Sequence, residues 1–313
     1  MKLTLGQKIL QFPLTRIVIA IIAIFLAIIG RDIVMGFFPK SLLPIDYTPQ
    51  VWLGKIQKLN FVPNFASVLY SVIAFILLTS LVYLMYLLYV RKVEKRELEE
   101  LNGKKCFSEL SLGIVIGSIL LLTVIGILFL FGHLKILENN FTFTILPYFM
   151  IAATAAFMEE LIFRGIIFRI LEEKLGTWIT LIFTAALFGG LHGANPGATL
   201  FSILTIAVSA GLLLGSAYVL TRRLWLPIGM HFAVNAIQGG VFGTNVSGLS
   251  SRGIYISKVS GNTLLTGGDF GIESSVIVLV LGIILSIVLL FRANSSGKII
   301  KPFFMNKTDK AFT

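Results

Sequence analysis

Eight stretches of this chain, at about 14–30, 66–90, 111–131, 141–162, 177–193, 198–221, 224–241 and 275–292, are apolar over most of their length. They approach the roughly 20 residues that a helix needs to cross a bilayer. Composition agrees with a membrane origin. Of the 313 residues 56% are hydrophobic and 13% charged, against about a quarter charged in an ordinary soluble domain. The fold class expected is all-α: a polytopic membrane helical bundle of about eight transmembrane helices. No internal repeat and no separate soluble domain stands out. Residues 1–110 read as N-terminal membrane helices with a charged cytoplasmic linker, and residues 111–313 as the core that carries the chemistry.

The formal net charge of +11 could suggest nucleic acid, but the basic residues sit in short clusters between apolar runs. That pattern orients a membrane protein and points to a bilayer, with no nucleic-acid partner. Arg91, Lys92, Lys95, Arg96, Lys104 and Lys105 form one cluster, Arg222 and Arg223 a second, and Arg292, Lys298, Lys301, Lys307 and Lys310 a third. Eight spans with both termini cytoplasmic put all three on the inside, together with the Arg164–Lys174 hairpin of a multi-pass protein of the cell membrane. The opposite connections, 132–140 and 194–197, are poor in Lys and Arg. The connection 31–65 dissents mildly through Arg31, Lys40, Lys55 and Lys58. At the N-terminus, Lys2, Lys8 and Arg16 precede an apolar run ending in "IIGRD" with no small-x-small cleavage pattern, so a retained signal-anchor helix is expected. Segment 91–105 reads as a short charged cytoplasmic helix extension with a solvated face rather than a partner-binding one, and the Gly-, Ser-, Asn- and Thr-rich 242–274 as a long external loop, the plainer alternative being a flexible link. Cys106, the only cysteine, allows neither an intrachain disulfide nor a cysteine metal cluster.

The charged exception inside the apolar runs is "MEELIFRG", residues 158–165. Charges inside a membrane are costly and usually mark function; the plainer reading is a helix end meeting water. On a helix Glu160 and Arg164 share a face and can pair, whereas Glu159 is rotated by about 100°. One carboxylate can then be structural while its neighbour is free for chemistry. Two of the three histidines, His192 in "FGGLHGANPG" and His231 in "PIGMHFAVNA", also lie in apolar segments; His133 lies in a short connection and reads as a surface residue. If a helix runs to about Glu173 and the next begins at Thr177, Glu159 and His192 both stand about 21–23 Å from the turn. Phe188 and His192 share a helix face, as do His231 and Asn235. The "GANPG" after His192 breaks the helix. At membrane depth that implies neighbouring protein or water; at the surface it is only a turn.

Glu159, Glu160 and Arg164 as Glu-Glu-x-x-x-Arg, Phe188 and His192 as Phe-x-x-x-His, and His231 and Asn235 as His-x-x-x-Asn resemble, in that order, the CPBP family. That family holds the type II CAAX prenyl endopeptidases and bacterial bacteriocin-processing and immunity homologues. The motifs cover about 140–240, and "LLTGGDFG" is similar to the tail region of bacterial members. The resemblance implies an intramembrane endopeptidase acting on a membrane-associated peptide or protein. By carry-over, Glu159 looks like the catalytic glutamate, with Glu160 and Arg164 supporting it. His192 and His231 would act with it, and Asn235 would help hold water or the oxyanion.

Two mechanisms are compatible with these residue types. In one, a glutamate activates water without metal. In the other, one divalent ion such as Zn²⁺ is bound by His192, His231 and Glu159, with an open position for water and the other glutamate as base. The chain has no His-Glu-x-x-His, so such a site must assemble between helices. The non-enzyme alternative is a catalytically silent immunity or regulatory protein that binds a partner such as a sensor kinase. Silent members would be expected to lose motif residues, and all seven are present here. A transporter is a third class, disfavoured by the lack of an inverted repeat.

Overall fold

A computed structural model describes residues 10–37, 65–139, 141, 145–251 and 253–304. Lys2, Lys8, Lys40, Lys55, Lys58, Lys307 and Lys310 lie outside the described residues. Helix α1 (Pro13–Met35) starts on Pro13, whose fixed φ suits a first turn. Helix α2 (Phe65–Tyr89) continues as a π-helical turn, Val90–Glu94, and α3 is Cys106–Leu130. Helix α4 (Leu146–Glu160) runs into a π-helical stretch, Leu161–Phe168, and then into α5 (Arg169–His192). The break within α5 is at Gly176, where φ is 72° and ψ 171°. The chain reverses there, at the turn that the sequence suggests. Helices α6 (Leu200–Ile206) and α7 (Leu213–Thr221) are joined by π-helical Ala207–Leu212. Helix α8 (Trp225–Asn235) also ends in a π turn, Ala236–Val241. A short helix α9 (Thr263–Thr266), a 3-10 turn (Ile272–Ser274) and α10 (Val276–Ser295) complete the order.

All eight apolar stretches contain helix, and the protein is an all-α membrane bundle. Five helical spans, Pro13–Met35, Val68–Glu94, Gly103–Leu130, Leu200–Thr221 and Val276–Ser295, are long and apolar enough to cross a membrane. The other three stretches carry most of the motif residues. They are held by close backbone contact. Gly113 and Gly117 lie one turn apart on α3 and pack against α8 around Gly229; a Cβ on Gly113 or Gly229 would collide with the facing backbone. This small-residue seam brings helices together where apolar attraction between them is weak, and it fixes the height of His231. Two short strands add to the bundle at one end: β1 (Leu134–Asn139) pairs antiparallel with β2 (Tyr255–Val259).

One sequence expectation needs correction. Segment 91–105 is not a solvated helix extension. Lys95 turns left-handed at φ 55° and stops the helix. Glu94 and Glu100 are then buried against Arg16, Arg96 and Arg169, and Tyr86 hydrogen-bonds both Glu100 and the Gly165 carbonyl, at 2.9 Å for the latter. Burial alone would raise the Glu100 carboxyl; Arg96 and Arg169 hold it below its ordinary range. The inward fold gives Arg16 and Arg169 a buried counter-charge in addition to the more exposed Glu173. The 242–274 loop is more than a plain link: it contributes β2, α9 and the 3-10 turn, and it packs on the motif helices.

Both described ends of the chain sit on one face of the bundle. Arg16 pairs with Glu173 at 2.5 Å, and the Thr177 amide donates to the Ile300 carbonyl at 2.9 Å. We expect this basic face to be cytoplasmic, as the Lys and Arg placement requires. In a protein with Cys106 replaced, single cysteines at Lys95 and Ser251 should react with impermeant thiol reagents from opposite sides of the membrane. Labelling of both from one side would rule out this topology.

Candidate active site

Glu160 is the hub. It is fully buried, and its Oε1 accepts from Arg164 Nη1 at 2.8 Å and from His231 Nδ1 at 2.9 Å. The (i, i+4) pair read from the sequence is therefore formed, and the carboxylate also ties α4 to α8 across 71 residues of chain. Arg164 spends its other nitrogen on the carbonyls of Ala210 at 2.9 Å and Gly211 at 3.1 Å. Those carbonyls lie in the π-helical turn between α6 and α7; such turns recur at functional sites because they loosen the regular backbone ladder. The guanidinium also stacks over the Phe188 ring at 4.8 Å.

Glu159 faces elsewhere, as the helical rotation requires. Its side chain is 32% exposed where that of Glu160 is fully enclosed. Its Oε2 is buried, has no hydrogen-bond donor among the described residues, and lies 3.9 Å from His231 Nε2. That gap exceeds a direct hydrogen bond, so the two groups are close neighbours without being bonded to each other. Since His231 Nδ1 donates to Glu160, the side of the ring that faces Glu159 is Nε2.

His192, at the end of α5, stacks on Phe188 with ring centres 4.6 Å apart. Its Nδ1 lies 2.8 Å from the Phe188 carbonyl, which can only accept, so Nδ1 carries the proton and Nε2 is left to the site. The Phe188 ring also lies 6.5 Å from His231, so the two histidines flank one aromatic side chain. Asn235, one turn beyond His231, opens with both histidines onto a cavity of about 50 Å³.

The loop after His192 forms part of the wall of this region. Asn195 donates to the Ser247 carbonyl at 3.0 Å, and the Gly248 amide to the Phe270 carbonyl at 2.6 Å. Gly248, at φ 80°, lies so close to Pro196 that a Cβ would overlap its carbonyl. The "GANPG" break is thus packed against protein, beside the cavity that His192 lines. Through the same contacts, the 245–273 segment delivers a residue that the sequence reading passed over. Glu273 is buried and lines the cavity with His192, His231 and Asn235. It sits in a polar loop without helical periodicity. The only hint was the apolar Phe270 and Ile272 around it, which signal that this end of the loop turns inward.

The metal set suggested by residue type, His192, His231 and Glu159, is not gathered around one point. Among the described residues no three His, Cys, Asp or Glu side chains converge as ligands for an ion. His231 is bonded to Glu160, and His192 to a main-chain carbonyl. His133 is away from the site and pairs with the Ser260 carbonyl at 3.0 Å.

A second cavity, of about 510 Å³, lies between α2, α3, α4 and α8. It is lined mainly by apolar side chains, among them Phe157 and Phe232, with Thr79, Ser80 and Tyr83 on one side. Phe157 precedes Glu159 by two residues on α4, and Phe232 follows His231 on α8, so the apolar cavity and the polar site share two helices.

No curated protein and no solved structure matches the chain significantly. Residues 140–237 match the family model described as type II CAAX prenyl endopeptidase Rce1-like. The match spans Glu159, Glu160, Arg164, His192, His231 and Asn235. Residues 140–237 are thus similar to the Rce1-like endopeptidases, and the apolar helices around them are those of a multi-pass membrane protein.

Proposed function

We propose that this protein is an intramembrane endopeptidase that hydrolyses a peptide bond of a membrane-associated peptide or protein by a glutamate-activated water. The observation that carries the reading is the Glu159–His231 gap: a buried carboxylate oxygen without a donor, 3.9 Å from a ring nitrogen whose other side is anchored. A water in that gap donates to Glu159 and is oriented by His231. As it attacks the scissile carbonyl, Glu159 takes its proton. Asn235 faces the oxyanion from the cavity wall, with His192 beside it. Donors fixed in place before charge develops are the largest single contribution in many hydrolases. Glu160 and Arg164 touch no reacting atom; they hold His231 and the turn after α6. The adjoining apolar cavity suits the lipid-like or apolar part of a substrate that approaches from the bilayer.

The test is cleavage of an internally quenched, farnesylated CAAX-type peptide by full-length protein in lipid nanodiscs, with the unprenylated peptide as comparison. Hydrolysis of the prenylated peptide is expected. Failure to cleave either peptide, or any member of a membrane-peptide library, would overturn the reading. Metal use is checked on the same sample, purified without a histidine tag. A glutamate-and-water site should remain fully active with no stoichiometric metal by elemental analysis and should ignore chelators. One metal per chain, with chelation abolishing activity reversibly, would instead favour the ion-bound mechanism.

A further inference from the structure

Glu273 is built into the site in a way that a loop carboxylate does not need. Its Oε1 accepts from both the amide and the hydroxyl of Ser247, the latter at 3.2 Å. Ser247 holds a left-handed backbone with φ 49°, a conformation that residues other than glycine rarely adopt and that is maintained when neighbours over-determine it. Oε2 is buried without a hydrogen-bond partner among the described residues. It faces the region of Gln238 and Gly271, where a Cβ on Gly271 would meet both Glu273 Oε2 and Gln238 Nε2 at 2.7 Å. An unpaired charged oxygen at this depth is expensive, whereas a proton on Oε2 removes the charge.

Resting on the endopeptidase reading, we propose that Glu273 is a third carboxyl group of the reaction site, one that carries a proton and delivers it to the leaving amine. The balance is complete with the groups already named. Water forms the new C–O bond and gives one proton to Glu159. The tetrahedral intermediate collapses, the C–N bond breaks, and its electron pair takes the proton from Glu273. The products are a carboxylic acid and an amine. Glu159 is left protonated and Glu273 ionised, and transfer by way of His231, which lines the cavity with Glu273 and stands 3.9 Å from Glu159, restores both. The volume of about 50 Å³ has room for a few waters.

The chemistry of the surroundings fits. Burial pushes the Glu273 carboxyl up to about 7, against the opposing pull of the Ser247 donors and of His231. The titratable groups that face it across the cavity are His192 from α5 and His231 from α8. Elements α3, α6 with its π turn, and α10 line the cavity with uncharged residues such as Leu120, Ser209 and Val278. A proton donor of this kind is competent below its titration point and lost above it, so wild-type kcat should fall as pH rises through about 7.

The experiment compares wild type, Glu273→Gln and Ser247→Ala as full-length proteins in nanodiscs, using the quenched farnesylated peptide and infrared spectroscopy. Glu273→Gln should lower kcat by about 10²-fold or more, leave KM near wild type, and remove the alkaline fall in kcat. It should also delete a protonated-carboxyl band that fades in wild type as pH passes neutrality. Ser247→Ala should keep the band and most of the activity, because the Ser247 amide still holds Oε1. If wild type cleaves and Glu273→Gln cleaves equally, or if Glu273→Gln lowers only the melting temperature with the pH profile unmoved, Glu273 is a loop clamp and the proposal is overturned. If wild type cleaves nothing, the endopeptidase reading fails by itself and the leaving-amine step falls with it. Loss of the infrared band in Glu273→Gln would then still establish the proton-carrying carboxyl, and an unchanged band would refute it.

Discussion

Glu159→Gln should abolish peptide cleavage, with kcat reduced by about 10²–10⁴-fold, while the protein still inserts, purifies and melts like wild type. The contrast with its neighbour underlies this expectation. Glu159 keeps a third of its side-chain surface exposed, and its buried oxygen has no donor among the described residues. No packing or ion pair of the bundle depends on its charge in the way that Arg164 depends on Glu160. Glutamine keeps the shape and replaces one oxygen by an amide, so the water is still contacted but no longer loses its proton. Cleavage of the quenched prenylated peptide, alongside a thermal unfolding curve of the same sample, makes the measurement. Full activity in a well-folded Glu159→Gln protein would remove the glutamate-activated water from the mechanism. Equal loss of stability and activity would make Glu159 a structural residue.

The different surroundings of the two glutamates were legible in the sequence because they follow from helical geometry alone. Residues four apart share a face and residues one apart do not, whatever surrounds them. The turn at Gly176 and the eight apolar stretches were legible for the same reason: they are local. What the sequence did not reveal is what crosses between segments. Nothing in the spacing says that His231 bonds Glu160, because that contact depends on how closely α3 and α8 approach at Gly113 and Gly229. The inward fold of Glu94 and Glu100 was hidden too. A run of alternating Lys, Arg and Glu has the same composition whether it is solvated or paired with arginines far away in the chain. Glu273 was the least accessible. Polar, Gly-rich loops look alike whether they dangle or plug a cavity, and it took the pairing of β1 with β2 and the Pro196–Gly248 contact to separate the two.

Glu160→Gln should behave unlike Glu159→Gln, with lower yield and melting temperature as well as lost cleavage. The carboxylate neutralises a guanidinium that is 3% exposed and anchors a histidine that is 9% exposed. Removing one partner of such a pair strands the other, at about 3–5 kcal/mol for a buried ion pair. Arg164 cannot escape to water, because its second nitrogen is tied to Ala210 and Gly211 and its face to Phe188. The double variant Glu160→Gln/Arg164→Met separates the two consequences. Removing the stranded charge should return part of the stability, since buried ion pairs are often replaceable by apolar groups of similar size. Cleavage should stay absent, because His231 still lacks the charged anchor that turns its Nε2 toward Glu159. Thermal unfolding and peptide cleavage, measured on both variants in the same nanodiscs, test this. A Glu160→Gln protein that melts and cleaves like wild type would mean that the buried hub does not organise the site. A double variant that regained cleavage would mean that Glu160 serves only to neutralise Arg164, with His231 held by packing.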